Sequence, residues 1–235
     1  MTLNMLIGIL EQGLIYGIMA MGLLITYRIL DFPDLTVDSS FPLGAAVSAT
    51  LTLQGVAPWL TLLIGCAAGG IAGLITGLIH VKCRVRDLLS GIITMTGLYS
   101  INLHIAQNKA NLPLFGGDTL FRNAFTKSLP KAISPYTTLI IIFLIALIAK
   151  ILLDLFLRTK CGYLLRAAGD NPSVVTTLSR DQGTVKILGL IIANALVALA
   201  GAVMCEQDEI WQESRYFTEV RMNELYDDGR TRGID

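Results

Sequence analysis

The stretch YRILDFPDLTVDSSFPLGAA, residues 27–46, places acids and hydroxyls between two apolar runs. Its polar side chains include Asp31, Asp34, Thr36, Asp38, Ser39 and Ser40. Pro33 and Pro42 are expected to prevent a continuous helix. Near a membrane, non-helical backbone is tolerated only where protein buries it or water reaches it, and acids there often mark solute pathways. Four residues are therefore candidates for shaping a pathway: Asp34, Thr36, Asp38 and Ser39. An interfacial loop whose aspartates cap the next helix explains the composition equally well.

The apolar run 88–106 contains a second polar set: Thr94, Thr96, Tyr99, Ser100 and Asn102. On a helix, Thr96, Tyr99 and Asn102 fall on neighbouring faces, so they are candidates for lining the same pathway. Hydrogen bonding between helices is the commoner role of such groups in membranes, and we favour it slightly.

A third polar stretch is TKCGYLLRAAGDNP, residues 159–172, which lies between two very apolar runs. A helix here could present a rigid, protruding surface to a soluble protein. Gly169 suits a left-handed C-terminal cap, and Pro172 cannot continue the preceding helix. The candidate docking residues are Gly162, Arg166, Ala167, Gly169, Asp170, Asn171 and Pro172. A plain basic loop remains the alternative, because it needs cations but not this spacing.

Other chemistry finds little support in the sequence. The four cysteines are scattered, and neither His80 nor His104 has an acid or thiol at close spacing, so we expect no metal site and no catalytic role. Asp154 lies one turn from Lys150 and from Arg158, which favours an interfacial ion pair over a proton relay. We expect no enzyme activity, no cofactor in this chain and no nucleic-acid binding.

The elements that must position these residues are membrane-spanning helices. The chain is 53% hydrophobic and only 15% charged, as expected of an integral membrane protein. Five runs are long enough to span: Met5–Tyr27, Pro58–His80, Leu88–Ala106, Ser134–Leu157 and Val185–Cys205. A shorter run, Leu43–Leu53, predicts either a short tilted span or half of a broken helix. The fold class is therefore all-α and polytopic, with about five to six transmembrane segments.

Cations and glycines indicate how these helices are arranged. The connection 81–87 and the segment 158–186 are rich in Lys and Arg and are predicted to be cytoplasmic. The loop 107–133 also carries four cations, although the alternation of spans puts it outside. Gly65, Gly69, Gly73 and Gly77 form one helical stripe that predicts close helix packing, and Gly13 and Gly17 predict the same on a smaller scale.

The motifs resemble a known group of membrane proteins. Residues 27–46, LLSGIITMTGLYSINLHI (88–105), NLPLFG (111–116) and RTKCGYLLRAAGDNP (158–172) are similar to permease subunits of ABC importers. The group is the tryptophan/tyrosine type, related to the branched-chain amino acid and ribose permeases. The resemblance covers about residues 5–205, and Tyr27 and Ser39 depart from the expected residues.

This resemblance implies a subunit that moves a small solute, such as an amino acid, across a prokaryotic cell membrane. It implies three protein partners: an ATP-binding subunit, an extracytoplasmic substrate-binding protein and a second permease copy. The chain has no Gly-rich phosphate loop, so ATP is expected to bind the partner. The peptide 159–172 then resembles the segment that docks on the ATP-binding subunit. A secondary transporter is the rival, although the long runs hold few of the acids that ion coupling needs.

The last 30 residues differ in character from the rest. Residues 1–205 hold 14 Lys/Arg and 9 Asp/Glu, whereas residues 206–235 hold 4 and 9. We divide the chain into a transmembrane domain, 1–205, and an acidic polar tail, 206–235. A surface helix is possible in the tail, because the spacing of its apolar residues is weakly amphipathic: Ile210, Trp211, Tyr216, Phe217, Val220 and Leu225. The permeases that this chain resembles continue with further spans at this point. The tail therefore predicts a truncation or a shifted reading frame, which would leave the protein inactive. A genuine short variant is the alternative.

Overall fold

The computed structural model describes residues 2–107, 109, 111–114, 119–121, 134–170, 182–208 and 210–212. Within these ranges the chain forms helices joined by short connections. The helices are α1 (Thr2–Leu23), continued by a π-helix (Leu24–Ile29), α2 (Val37–Leu53), α3 (Pro58–Lys82), α4 (Asp87–Ile105), α5 (Ser134–Leu157), α6 (Lys160–Asp170) and α7 (Gln182–Asp208). Two short strands, β1 (Asn111–Pro113) and β2 (Ile210–Gln212), complete the described elements. The predicted all-α class is confirmed.

Five of the described helical segments are long and apolar enough to cross a membrane: Met5–Ile29, Pro58–Lys82, Asp87–Ile105, Tyr136–Leu157 and Gly183–Asp208. They correspond to the five predicted runs, extended by a few residues at several ends. The sixth candidate, α2, has 17 residues and is about 25 Å long. It therefore falls slightly short of a hydrocarbon core of ~30 Å.

Helix α2 is the buried inner helix of the bundle. It packs against α3, α4 and α7, and most of its residues are buried. Pro42 lies inside it, so the prediction that Pro42 interrupts the helix was wrong; only the segment around Pro33 is non-helical. Pro42 removes a single backbone hydrogen bond, to the Asp38 carbonyl. Burial of α2 on several sides holds the helix together despite that loss.

The glycines of α3 let α7 approach closely. A Cβ at Gly77 would lie 2.9 Å from Ile187 Cγ1, and a Cβ at Gly69 would overlap the Asn194 carbonyl. The predicted stripe is thus confirmed as a helix contact. The prediction for Gly13 and Gly17 was wrong, because a Cβ at either position would meet nothing within 4 Å. α1 instead packs through Ile15, Ile18 and Gly22, which lie on another face.

Helix α7 forms the centre of the core, whereas α5 lies at its edge. In the most apolar 18-residue window of each helix, 61% of the window is buried in α7 but only 17% in α5. α7 runs parallel to α2, because Ser40 contacts Asn194 and Ser48 contacts Glu206. It runs antiparallel to α3, where Gly65 meets Ala202 and Gly77 meets Ile187, and to α1, where Glu11 meets Gln207 and Gly22 meets Val197. We call the end of the bundle that holds Lys82 and Lys186 the basic end, and the end that holds Ser48 and Glu206 the opposite end.

The two strands join the 111–113 segment to the residues after α7. They pair antiparallel, with Leu112 opposite Trp211. Ile210 and Trp211 therefore lie in a strand, and the prediction that they belong to a surface helix was wrong for these two residues. Tyr216 and the rest of the tail lie outside the described residues.

Candidate functional site

The first candidate site is the non-helical segment between the π-helix and α2. Asp31 adopts a left-handed backbone conformation, with φ of 50°. Asp34 follows and is only 1% exposed. The Thr36 amide donates to Asp34 Oδ1 (2.9 Å), and Asn194 Nδ2 of α7 donates to Asp34 Oδ2 (2.8 Å). Both carboxylate oxygens thus have a donor, which a buried acid requires.

Asn194 connects this segment to α2 as well. Its Oδ1 accepts from Ser40 Oγ (2.6 Å), while its Nδ2 also donates to the Leu190 carbonyl (3.0 Å). Nearby, the hydroxyls of Thr36 and Thr76 lie 2.9 Å apart. One amide therefore holds the broken segment, α2 and α7 in a single polar cluster, which we call the Asn194 cluster: Asp34, Thr36, Ser40, Thr76 and Asn194.

Ser39 and Asn102 extend this polar contact to α4. Ser39 Oγ donates to the Met95 carbonyl (3.0 Å), and Asn102 Nδ2 donates to the Ser39 carbonyl (3.2 Å). Asn102 Oδ1 is buried and has no hydrogen-bond partner among the described residues. An unpaired amide oxygen of this kind is available to a polar solute or a water molecule.

The other predicted pathway residues lie elsewhere. Asp38 and Thr96 are exposed, and Tyr99 is 41% exposed. The Thr96 hydroxyl bonds back to carbonyls of its own helix, those of Ile92 and Ile93. The structure thus brings Asp34, Thr36, Ser39 and Asn102 into the interior and leaves Asp38, Thr96 and Tyr99 on the outside of this chain.

Helix α6 lies beneath the broken segment at the basic end. Its inner face buries Gly162, Leu165 and Ala168, whereas Arg166 is exposed. A Cβ at Gly162 would lie 2.5 Å from Leu157 Cα, so this glycine lets α6 turn back tightly against the end of α5.

Gly169 has a different role from the predicted one. It lies within α6, has no left-handed backbone, and packs so that a Cβ would overlap the Ile29 carbonyl. The C-cap prediction was therefore wrong: Gly169 is needed for close approach to the π-helix. Ala167 is half-buried, and Asp170 is the last described residue of the helix. Asn171 and Pro172 lie outside the described residues.

Sequence reasoning missed a cluster around His80 at the basic end. His80 Nδ1 lies 3.1 Å from Asp87 Oδ1 and 2.9 Å from the Val85 carbonyl. Its Nε2 lies 3.4 Å from Lys186 Nζ, and its ring packs edge-on against Phe32 at 5.2 Å. Asp87 is seven residues away in the sequence, but the turn between α3 and α4 brings it next to His80.

A second missed cluster lies at the opposite end around Glu206, which is 1% exposed. Its Oε1 accepts from Thr61 Oγ1 (2.5 Å) and Ser48 Oγ (3.0 Å), and its Oε2 accepts from the Leu120 amide (3.0 Å). The next residue, Gln207, donates to Glu11 (3.0 Å). Glu206 had been assigned to the tail, yet α7 continues through it to Asp208.

Two further expectations concern ionisable groups. Asp154 forms an ion pair with Lys150 (2.7 Å) on the exposed side of α5. This is one of the two predicted pairings. Among the described residues, no group of three His, Cys, Asp or Glu side chains is arranged to hold a metal ion.

Comparison with known proteins assigns the chain to a family. Residues 5–218 match the family described as "Branched-chain amino acid transport system / permease component". The chain belongs to this permease family. With five membrane-length helices in the part of the chain that the structure describes, this permease-family protein is a multi-pass protein of the cell membrane.

Individual relatives carry related names. The permease-family chain is 43% identical over 201 residues to the tyrosine transport system permease protein of Clostridioides difficile, covering 86% of the chain and 64% of that relative. It is 33% identical over 204 residues to an uncharacterized protein of Rickettsia prowazekii, covering 87% and 69%. It is 29% identical over 213 residues to a probable branched-chain amino acid transport permease of Methanocaldococcus jannaschii, covering 86% and 67%. No solved structure matches the chain.

Proposed function

We propose that the chain is the membrane-spanning subunit of an ATP-binding-cassette importer for a small solute, an amino acid, with ATP hydrolysed by a separate subunit. One observation supports it most directly: α6 packs against the π-helix through Gly169, directly before the broken segment. A partner that pushes on the exposed face of α6 would therefore move the backbone at Ile29.

The displacement has a short route to the buried polar residues. Leu30 packs in one apolar cluster with Leu165 of α6, and Phe32 belongs to the same cluster. Two residues later, Asp34 is fixed to α7 through Asn194. Movement of α6 would thus alter the Asn194 cluster and the neighbouring Asn102, whose Nδ2 bonds to α2 and whose buried Oδ1 has no partner among the described residues. In this proposal these residues shape the solute pathway.

The names of the relatives support an amino acid as cargo. The Clostridioides difficile relative is named for tyrosine and the Methanocaldococcus jannaschii relative for branched-chain amino acids, whereas a Bacillus subtilis relative, 27% identical over 205 residues, is named for ribose import. The proposed assembly contains two copies of this chain, an ATP-binding subunit on the basic end, where Lys and Arg are expected on the cytoplasmic side, and a substrate-binding protein at the opposite end.

Two substitutions in α6 separate docking from coupling. Arg166→Glu reverses the charge on the exposed face and should abolish co-purification with the ATP-binding subunit and ATP-driven uptake. Gly169→Val should retain docking but lose uptake, because the added side chain displaces α6 from Ile29. Uptake is measured in proteoliposomes that contain the full assembly.

Matched controls are available in the chain. Arg158→Glu makes the same charge change at the end of α5, and Gly97→Ala adds a Cβ where nothing lies within 4 Å. Both should behave as wild type. Unchanged docking and uptake in Arg166→Glu would refute the coupling role of α6.

Buried acids favour one second candidate, an ion-coupled transporter. Glu206 and Glu11 lie within spans and are buried, and intramembrane acids are a common feature of proton and ion pathways. Under this alternative, uptake persists without ATP, follows the membrane potential, and is lost in Glu206→Gln. ATP-dependent uptake that is insensitive to an ionophore would exclude it.

A further inference from the structure

A basic cleft opens at the end of the bundle where α3 meets α7. Its volume is about 420 Å³. The residues that line it are His80, Val81, Arg84, Val85, Arg86, Gly183 and Lys186. None of these described lining residues is acidic. The cleft is separate from the Asn194 cluster and from the exposed face of α6, so neither the proposed pathway nor the proposed docking helix accounts for it.

The turn between α3 and α4 supplies two of the cations. Arg84 has a left-handed backbone, with φ of 53°, and Arg86 is the residue that precedes α4. Both side chains are exposed. The acid that follows Arg86 in the sequence, Asp87, is directed to His80 at 3.1 Å. Among the described residues, neither arginine has an ion-pair partner at the mouth of the cleft.

Lys186 is held at the inner edge by His80. His80 Nδ1 faces the Val85 carbonyl and the Asp87 carboxylate, so its hydrogen is donated on that side. Its Nε2 is then an acceptor for Lys186 Nζ at 3.4 Å. This contact uses one of the three ammonium hydrogens, and the others are available to an anion.

The position of the cleft indicates which anion it takes. It lies where α3 ends and α4 begins, which is the membrane–water boundary of two spanning helices. The first turn of α4 exposes Leu88 and Leu89, so apolar surface continues into the bilayer from the cleft. Basic pockets between helix ends at this depth bind the head groups of anionic lipids. Arginine is suited to such a group because its planar fork binds two phosphate oxygens.

We propose that this cleft binds the phosphate of an anionic phospholipid. Arg84 and Arg86 hold the phosphate from the aqueous side, Lys186 holds it from the inner side, and the acyl chains lie along the exposed leucines of α4. The chemistry is that of a phosphodiester, and the lipid is its source because a free phosphate makes no use of the leucines.

Native mass spectrometry of the purified full chain in detergent tests this proposal. Phosphatidylglycerol or phosphatidylcholine is added, and bound lipid per protein is counted. Phosphatidylglycerol should bind selectively. Because each cation that contacts the phosphate is expected to contribute about fivefold in affinity, Arg84→Gln should weaken binding about fivefold and Arg84→Gln with Arg86→Gln about 25-fold. Arg158→Gln, which removes an exposed cation outside the cleft, should change nothing.

Three results would overturn the proposal. Equal retention of phosphatidylglycerol by the double variant and wild type would show that the cleft is not the site. Displacement of the lipid by equimolar inorganic phosphate would show that a free anion is the ligand. Unchanged lipid binding together with lost capture of the ATP-binding subunit would make the cleft a protein contact. Since both arginines are exposed, the variants should fold, and circular dichroism checks this.

Discussion

The buried carboxylate of Glu206 allows a quantitative prediction. Glu206→Ala removes the acceptor of three hydrogen bonds, which come from the Thr61 hydroxyl, the Ser48 hydroxyl and the Leu120 amide. These groups belong to α3, α2 and the 119–121 segment. The substitution therefore loosens three elements from the end of α7 at once.

The size of the effect follows from which groups keep a partner. The Thr61 and Ser48 hydroxyls keep part of their hydrogen bonding, because Thr61 Oγ1 also donates to the Pro58 carbonyl at 2.6 Å and lies 3.4 Å from Ser48 Oγ. Three bonds of about 0.6–1.5 kcal/mol each give a loss of about 2–4.5 kcal/mol in the free energy of unfolding. Glu206→Gln keeps the size and one acceptor oxygen, so we expect a loss of about 1 kcal/mol.

The assay is unfolding by dodecyl sulfate in mixed micelles, followed by circular dichroism. Asp154→Ala is the control, since its carboxylate forms an exposed pair with Lys150 and its removal should leave the unfolding curve in place. If Glu206→Ala unfolds at the same detergent fraction as wild type, the hydrogen bonds at the opposite end contribute nothing, and the reasoning is refuted.

Three further predictions use the same unfolding assay. Gly69→Ala should cost about 1–3 kcal/mol because its Cβ overlaps the Asn194 carbonyl. Gly13→Ala, in open space, should be neutral or stabilise by up to about 1 kcal/mol, and an equal loss in both variants would contradict the assigned packing faces. Asn194→Ala should cost about 1.5–3 kcal/mol because the Asp34 carboxylate loses a donor. Thr96→Val, whose hydroxyl bonds only to its own helix, should unfold like wild type. A larger loss in Thr96→Val than in Asn194→Ala would show that α4 carries the polar contact instead.

The sequence predicts the spans and one helix interface well because both depend on local periodicity. Twenty apolar residues define a span wherever they occur, and four glycines at a spacing of four share one face whatever faces them. The same argument fails for Gly13 and Gly17, since spacing shows that a face is smooth but not that a neighbour lies on it. The cap prediction for Gly169 was wrong for a related reason. A glycine before Asp-Asn-Pro has the local signature of a helix cap, whereas its role in the fold depends on the distant Ile29 backbone.

The burial of Glu206 could not be predicted because its partners are distant in sequence. Glu206 follows an apolar run and precedes an acidic tail, so its local context is that of an interface. Its burial depends on Ser48 and Thr61, which the chain places on other helices. His80 is a milder case: a seven-residue separation from Asp87 becomes a contact only once the turn at Arg84 adopts its left-handed conformation.

The central position of α7 has a consequence for biosynthesis. Ser40 and Asn194 are 154 residues apart, and Asp34 and Asn194 are 160 apart. At a synthesis rate of about 5–20 residues per second, the polar groups of α2 wait roughly 8–30 s for their partners to leave the ribosome. During that interval Asp34 lacks the donor from Asn194, and the faces of α2 and α3 that pack on α7 have no α7 to pack on. A membrane insertase or chaperone that retains these helices until α7 arrives would therefore determine the yield of folded protein.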